Sequence, residues 1–208
     1  MQNPSVVEQP VYKQSTAEFL LFLLFTVAAV VNGQTSVFYV LYFFWWSELL
    51  RIIIDRICYK RNANAVYNPV GPLPVWTSLF ILGIHFVFIV VLFGFIANWD
   101  NVDLLTLNMR VLLFKNFFFN GNLLFVVLQR LYMHWQQQPV KIEYGGFTPN
   151  ILILHIAIIF GGILQMFVVK RYTDIFTPDN LWGSALLLLP FLLLKAGFYW
   201  FKRPKVAE

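Results

Sequence analysis

Long apolar runs separated by short polar segments are the dominant pattern along the chain. Asp, Glu, Lys and Arg are absent from residues 19–47, 62–99 and 144–169, which are stretches of 29, 38 and 26 residues. About 20 apolar residues cross the hydrocarbon core of a bilayer as a helix. The pattern therefore predicts transmembrane helices rather than the core helices of a small soluble fold.

Turn signals divide the apolar runs into six predicted spans. An Asn-Gly-Gln-Thr turn at 32–35 separates the first two, a Pro-rich break at 69–74 precedes the third, and a Thr-Pro-Asp cap at 177–179 opens the sixth. Polar residues interrupt the fourth span, so its first half could instead lie along the membrane surface. The predicted spans cover about residues 18–31, 36–58, 75–97, 104–129, 151–169 and 180–201.

The expected fold class is all-α, an integral membrane bundle of about six transmembrane helices. Residues 17–201 are predicted to form the transmembrane domain, 1–16 a cytoplasmic N-terminal segment, and 202–208 a short basic cytoplasmic tail. A cleavable signal peptide is the less favoured interpretation of the first run. Only Lys13 precedes that run as a basic residue, and no A-x-A site follows it.

Basic residues predict the orientation of the bundle. With six spans, both termini and the loops after spans two and four share one side. That side carries ten basic residues, whereas the opposite side carries two, Lys170 and Arg171. Because cytoplasmic loops are enriched in Lys and Arg, both termini are predicted to be cytoplasmic. The ten residues are Lys13, Arg51, Arg56, Lys60, Arg61, Arg130, Lys141, Lys202, Arg203 and Lys205.

Composition supports the membrane assignment and narrows the chemistry. The chain is 59% hydrophobic and 12% charged with a mean hydropathy of +0.68, against about 45–50% and about 25% in ordinary soluble domains. The single cysteine, Cys58, excludes an intramolecular disulfide and a multi-thiolate metal centre built from this chain alone. The net charge of +5 is explained by topology, so we predict no nucleic-acid partner. We also predict no cofactor.

A few charged residues fall inside the predicted spans. Glu48, Arg51 and Asp55 lie at i, i+3 and i+7 on one face of span two. Each charge at mid-bilayer costs about 2.5–3.5 kcal/mol on insertion scales, so we expect pairing. Spans two, four and six run in the same direction, so Lys115 and Lys195 can share the depth of Glu48. We expect Glu48 to pair with Lys195, Lys115 or Arg51, and Asp55 to be solvated near the membrane surface.

Two interpretations of these charges stay open. They could form an ion-pair clasp that holds the bundle together, or they could form a substrate or proton site at the membrane midplane. Pro190 is predicted to kink span six beside Lys195. Such kinks occur at transporter sites but are also common in membrane helices generally.

Histidine and asparagine side chains add further polar candidates. His85 and His155 fall in spans three and five, and with Glu48 they could form a proton relay or a two-His, one-carboxylate metal site. No H-x-x-x-H or E-x-x-H spacing supports metal, so we predict packing histidines and no metal site. The third histidine, His134, is placed in a loop. Asn116, with Asn120 four residues on, is expected to hydrogen-bond across helices.

A basic cluster follows span two. Arg56, Lys60 and Arg61 are predicted to face anionic lipid headgroups. The expected partners are therefore the lipid bilayer, its anionic headgroups, and either a second copy of the chain or another subunit of a membrane complex.

Two short sequences resemble a known family. The run Leu154-His155-Ile156-Ala157-Ile158-Ile159-Phe160-Gly161-Gly162 is followed about thirty residues later by Leu193-Leu194-Lys195, and the aromatic run at 42–47 ends in Glu48. This combination is similar to a bacterial family of small multi-pass membrane proteins of unknown function. The resemblance implies location in the bacterial inner membrane and favours Glu48, His155 and Lys195 as site residues. It implies no reaction.

Three functional hypotheses follow from the sequence. The first is a small transporter-like or channel-like protein with a midplane polar site around Glu48. The second is a structural or accessory subunit of a membrane complex whose intramembrane charges clasp helices together. A weaker third is a membrane enzyme that uses His85, His155 and Glu48. Because the chain contains no P-loop, nucleophile elbow or H-E-x-x-H motif, we predict that it is not an enzyme and assign no catalytic residue.

Overall fold

The computed structural model describes residues 36–69, 73–176, 186, 189–194, 196 and 197. Predicted span one, most of span six including Lys195, and the terminal segments 1–16 and 202–208 lie outside the described residues. The predicted orientation of the two termini is therefore not tested.

The described part of the chain is mostly helical. Its helices and strands are α1 (Val37–Cys58), β1 (Val66–Pro69), α2 (Pro74–Phe88), α3 (Val102–Leu112), α4 (Phe117–Trp135), β2 (Lys141–Tyr144) and α5 (Pro149–Leu164). Two of these helices continue as π-helix, α2 through Ile89–Phe95 and α5 through Gln165–Val169. Residues 189–194 are also helical.

Four helical stretches are long and apolar enough to cross a membrane. They correspond to predicted spans two to five, and three of them match the predicted bounds within a few residues. Spans one and six stay predictions. The four stretches are Val37–Arg61, Pro74–Asn98, Val102–Trp135 and Pro149–Val169.

The fourth predicted span is two helices rather than one, which corrects the expectation of a single helix. A break at residues 113–116 separates α3 from α4, and Phe114 adopts a φ of 56° within it. Asn116 caps α4 by accepting a hydrogen bond from the Phe119 amide at 3.0 Å, and Asn120 donates to the Phe114 carbonyl at 2.6 Å. Both asparagines thus organise the break, whereas we had expected bonds across helices.

Helix α1 is the centre of the bundle. Within its most apolar 18-residue window 61% of the residues are buried, against 17–33% in the other three stretches. Tyr42 stacks on the rings of Phe38 and Phe119, with centroids 5.0 and 5.5 Å away. Trp45 donates its indole N–H to the Leu82 carbonyl at 2.7 Å and so ties α1 to α2.

Two short strands correct the all-α expectation. β1 and β2 pair in parallel, with Val66 opposite Lys141. Strands of four residues carry too little alternation to be predicted from sequence. The pairing brings the loop after α1 and the loop after α4 to one end of the bundle, here called the strand end. The predicted orientation requires these two loops to share a side, and they do.

Candidate functional site

A buried network of charged side chains joins α1 to α4 and α5 near the strand end. Its α1 members are Glu48, Arg51 and Asp55, which share one face of the helix because they are spaced i, i+3 and i+7. Their side chains are 2%, 18% and 0% exposed, respectively. Burial of two carboxylates at this level requires partners, and the structure supplies them from three helices.

Asp55 lies at the centre of the network. Arg130 of α4 donates Nε–H and Nη2–H to the two carboxylate oxygens of Asp55, both at 2.7 Å, in a bidentate pair. His134 places its Nε2 2.9 Å from Oδ1 of Asp55. The expectation of a solvated Asp55 is therefore wrong. Helix α4 continues to Trp135, beyond the predicted end at residue 129, and its last turns cover the carboxylate.

Glu48 joins α1 to α5. Arg51 donates from Nε to Oε2 at 2.9 Å and from Nη2 to Oε1 at 2.5 Å. Asn150, in the first turn of α5, donates its amide N–H to Oε2 at 2.9 Å. Arg51 also lies 3.6 Å from Asp55, so its guanidinium bridges the two carboxylates. Of the three partners predicted for Glu48, the described residues confirm Arg51.

Each ring nitrogen of His134 has a polar neighbour. Its Nε2 faces a carboxylate, and its Nδ1 lies 3.4 Å from the Asn62 amide nitrogen, which is a donor. A hydrogen on Nε2 and an accepting Nδ1 satisfy both contacts. Within the described residues the network therefore places the guanidinium groups of Arg51 and Arg130 against the carboxylates of Glu48 and Asp55. His134 belongs to the last turn of α4 and is buried, so its predicted place in a loop is wrong.

The two loops of the strand end close over the network. Asn62 donates to the Gln138 carbonyl at 2.9 Å, and Gln137 donates its amide to the Arg61 carbonyl at 2.8 Å. The Ile142 and Tyr144 side chains of β2 are fully buried at the strand end. Burial raises the pKa of the Tyr144 phenol well above its ordinary value.

The structure brings two other predicted residues together. His85 of α2 and His155 of α5 are hydrogen-bonded, with 2.9 Å between Nε2 and Nδ1. His85 is buried while His155 is exposed. Glu48 bonds to Arg51 and Asn150 instead of joining this pair as a relay. Among the described residues, no group of three or more His, Cys, Asp or Glu side chains is arranged to hold a metal ion.

The remaining predicted basic residues lie apart from the network. Lys115 is exposed in the break between α3 and α4 and does not pair with Glu48. Arg56, Lys60 and Arg61 are exposed at the strand end, and the Arg56 guanidinium lies 5.9 Å from the centre of the Tyr59 ring. This exposure is what a headgroup-facing cluster requires.

A small cavity lies at the opposite end of the bundle. Its volume is about 20 Å³, and it is lined by residues of both π-helical segments, including Phe93 and Gln165. Gln165 and Lys170 donate to the Ala97 and Ile96 carbonyls, each at 3.1 Å, and so cap the end of the α2 stretch. A space of this size holds about one water molecule.

The α4 and α5 members of the network were not predicted from the sequence. Arg130 and His134 lie four residues apart, which places them on one helical face, and this spacing was the available signal. It was overlooked because the predicted helix ended before both residues. Asn150 follows Pro149 at the start of α5 and carries no signal that would single it out.

No protein-family model, curated protein or solved structure matches this chain. The resemblance to a bacterial family of multi-pass membrane proteins therefore stays a prediction.

Proposed function

We propose that this chain is an integral membrane protein that serves as a structural or accessory subunit of a membrane complex. In this proposal the charge network is a clasp that fixes α1, α4 and α5 at the cytoplasmic end of the bundle. The observation that carries the proposal is Asp55, which is fully buried and accepts a bidentate pair from Arg130 and a bond from His134.

The pairing of charges between helices supports a clasp. Removing one member of a buried ion pair costs about 3–5 kcal/mol, because an uncompensated charge is left behind. Each carboxylate of α1 is matched by a guanidinium within hydrogen-bonding distance, and each is also bound by a second helix. Such an arrangement specifies how the helices meet, which is the use of buried charges best supported in other proteins.

A transporter-like or channel-like protein is the alternative. It requires Glu48 to exchange protons or ligands with water, with gating at Pro190. In the structure Glu48 is 2% exposed and is held by Arg51 and Asn150. This geometry favours the clasp over an open polar site.

The surface of the strand end supports placement at a cytoplasmic membrane face. Arg56, Lys60 and Arg61 are exposed beside the end of the α1 stretch, where anionic headgroups attract basic side chains. With the predicted excess of basic residues on this side, the proposal places the strand end in the cytoplasm and the chain in a bacterial inner membrane.

A double-mutant cycle with a flux measurement tests the proposal. Asp55→Asn and Arg130→Met should each lower the free energy of unfolding by about 3–5 kcal/mol, and the double variant should lose less than the sum. Lys141→Met is the matched control, because the Lys141 side chain is exposed where it pairs with Glu143. This variant should lower the free energy of unfolding by less than about 1 kcal/mol.

Flux decides between the clasp and the transporter. Proteoliposomes of the wild-type chain should show no proton or solute flux above empty vesicles. A flux that disappears in Glu48→Gln while the unfolding free energy is unchanged would overturn the clasp and support the transporter.

A further inference from the structure

The break between α3 and α4 carries an exposed lysine in an apolar surface. We infer that Lys115 is the docking point for a transmembrane helix of a different protein, one that carries an Asp or Glu within its span. The inference rests on the proposed role as an accessory subunit and names the chemistry of the partner.

The surroundings of Lys115 show an ammonium group without a counter-ion. Its backbone N–H donates to the Arg110 carbonyl at 2.7 Å, but its ammonium makes no ion pair or hydrogen bond within residues 36–69 and 73–176. Apart from Asn116, its near neighbours in the chain are apolar and exposed, namely Leu113, Phe114, Phe117 and Phe118. A cation in such a surface is costly in hydrocarbon unless it is paired.

The depth of the break follows from its contacts with α1. Ser36 and Arg56 are twenty residues apart, or about 30 Å along a helix, which equals the thickness of the hydrocarbon core. Trp46 lies midway between them. The Phe114 ring lies 5.2 Å from the Trp46 ring, and Phe119 packs on Tyr42 at 5.5 Å.

Lys115 lies between these two contacts in the chain. The levels of Tyr42 and Trp46 are about 9 and about 15 Å from Ser36 along α1. A lysine stem extends roughly 6 Å, so it falls short of the membrane surface from this depth. The ammonium therefore needs a counter-ion inside the bilayer, and lipid phosphates lie too far out to provide one.

The surface next to Lys115 allows another helix to approach closely. Gly121, in the second turn of α4, is exposed and has no heavy atom within 4 Å of the position a Cβ would take. Asn120 beside it is also exposed. Small and amide residues are typical of helix interfaces in membranes, where packing and hydrogen bonds replace the hydrophobic effect.

The acids of this chain do not fit the role of counter-ion. Glu48 and Asp55 are buried in the clasp. Asp100 and Asp103 flank the start of α3, at the end of the bundle where Ser36 bonds to Asn108. Glu18 begins predicted span one at its predicted cytoplasmic end, opposite to the Ser36 end, and residues 19–35 contain no acid. The remaining acids fall outside the predicted spans, namely Glu8, Glu143, Asp174, Asp179 and Glu208. A second copy therefore offers no carboxylate at the required depth, and the partner is a different chain.

Binding of a synthetic peptide tests the inference. The full-length protein is reconstituted in phosphatidylcholine vesicles with a labelled transmembrane peptide of about 20 Leu and Ala residues, with or without one central Asp. Energy transfer should show roughly tenfold tighter binding of the Asp peptide. Lys115→Met should abolish the preference, whereas Lys115→Arg and the control Arg110→Met should retain it.

Several outcomes would overturn the inference. These are equal binding of the two peptides, a preference that survives Lys115→Met, and Lys115-dependent association of two copies of the chain. Loss of the preference when phosphatidylglycerol replaces phosphatidylcholine would also overturn it, because a lipid would then occupy the site. The Asp55–Arg130 cycle does not involve Lys115, so failure of the docking site and failure of the clasp are measured separately.

Discussion

Arg51 provides a quantitative test of which charged residues in the network interact with one another. Its guanidinium bonds to Glu48 at 2.5 and 2.9 Å but lies 3.6 Å from Asp55, beyond hydrogen-bonding distance. Asp55 has two bonds from Arg130 and one contact with His134 as well. Removing the guanidinium should therefore disturb Glu48, which loses two hydrogen bonds, more than Asp55, which loses none.

The expected magnitude follows from the burial of Glu48. Arg51→Met should lower the free energy of unfolding by about 3–5 kcal/mol, because it removes two charge-assisted hydrogen bonds from a carboxylate that is 2% exposed. The double variant with Glu48→Gln should be about 1–3 kcal/mol more stable than the sum of the two single losses in unfolding free energy predicts. Combining Arg51→Met with Asp55→Asn should recover less than about 1 kcal/mol relative to the corresponding sum, because no hydrogen bond joins that pair.

Denaturant unfolding in mixed micelles, followed by tryptophan fluorescence, measures these free energies. The exposed control Lys141→Met shows how much unfolding free energy is lost when a surface cation is removed. Equal coupling of Arg51 to the two carboxylates would refute the reasoning. A loss in Arg51→Met no larger than in Lys141→Met would refute it as well.

Three further predictions concern the closure and packing of the bundle. Asn62→Ala removes the amide that bonds to the opposite loop and should cost about 1 kcal/mol, with faster hydrogen exchange at the strand end. Gly94→Val should lower the free energy of unfolding by about 1–3 kcal/mol, because a Cβ there would lie 3.3 Å from the Phe38 ring. Gly83→Ala is the control, because its Cβ would meet open space, and thermal unfolding should show it to be neutral or stabilising. The raised pKa of Tyr144 contributes stability that is full below the unfolded-state pKa of about 10 and is lost as pH rises above it, so Tyr144→Phe should flatten the fall of stability in alkaline unfolding scans.

The sequence predicted most of the described helices for a simple physical reason. Runs without charge must match the thickness of the hydrocarbon core, and this fixed spans two, three and five within a few residues. The break in span four was only half anticipated. Polar residues indicated its position. The decisive features are the Asn116 cap and the left-handed backbone conformation of Phe114, and both depend on local backbone geometry.

The site was predicted as a helix face but not as a network. Spacing alone places Glu48, Arg51 and Asp55 together on α1, and the pairing of Glu48 with Arg51 was among the expected outcomes. The partners from α4 and α5 depend on where those helices end and begin. An error of six residues in the predicted end of α4 was enough to leave Arg130 and His134 in a loop.

The error over Asp55 bears on how charges near helix ends should be interpreted. Distance along the helix places Asp55 near the membrane surface, where water is ordinarily available. The loops after α1 and α4 pair as β1 and β2 and exclude that water, so the carboxylate experiences a buried environment at an interfacial depth. Solvation therefore depends on what covers a helix end as well as on depth. The same logic applies in reverse to Lys115, which is exposed in the described part of this chain although our inference places it deep in the apolar region.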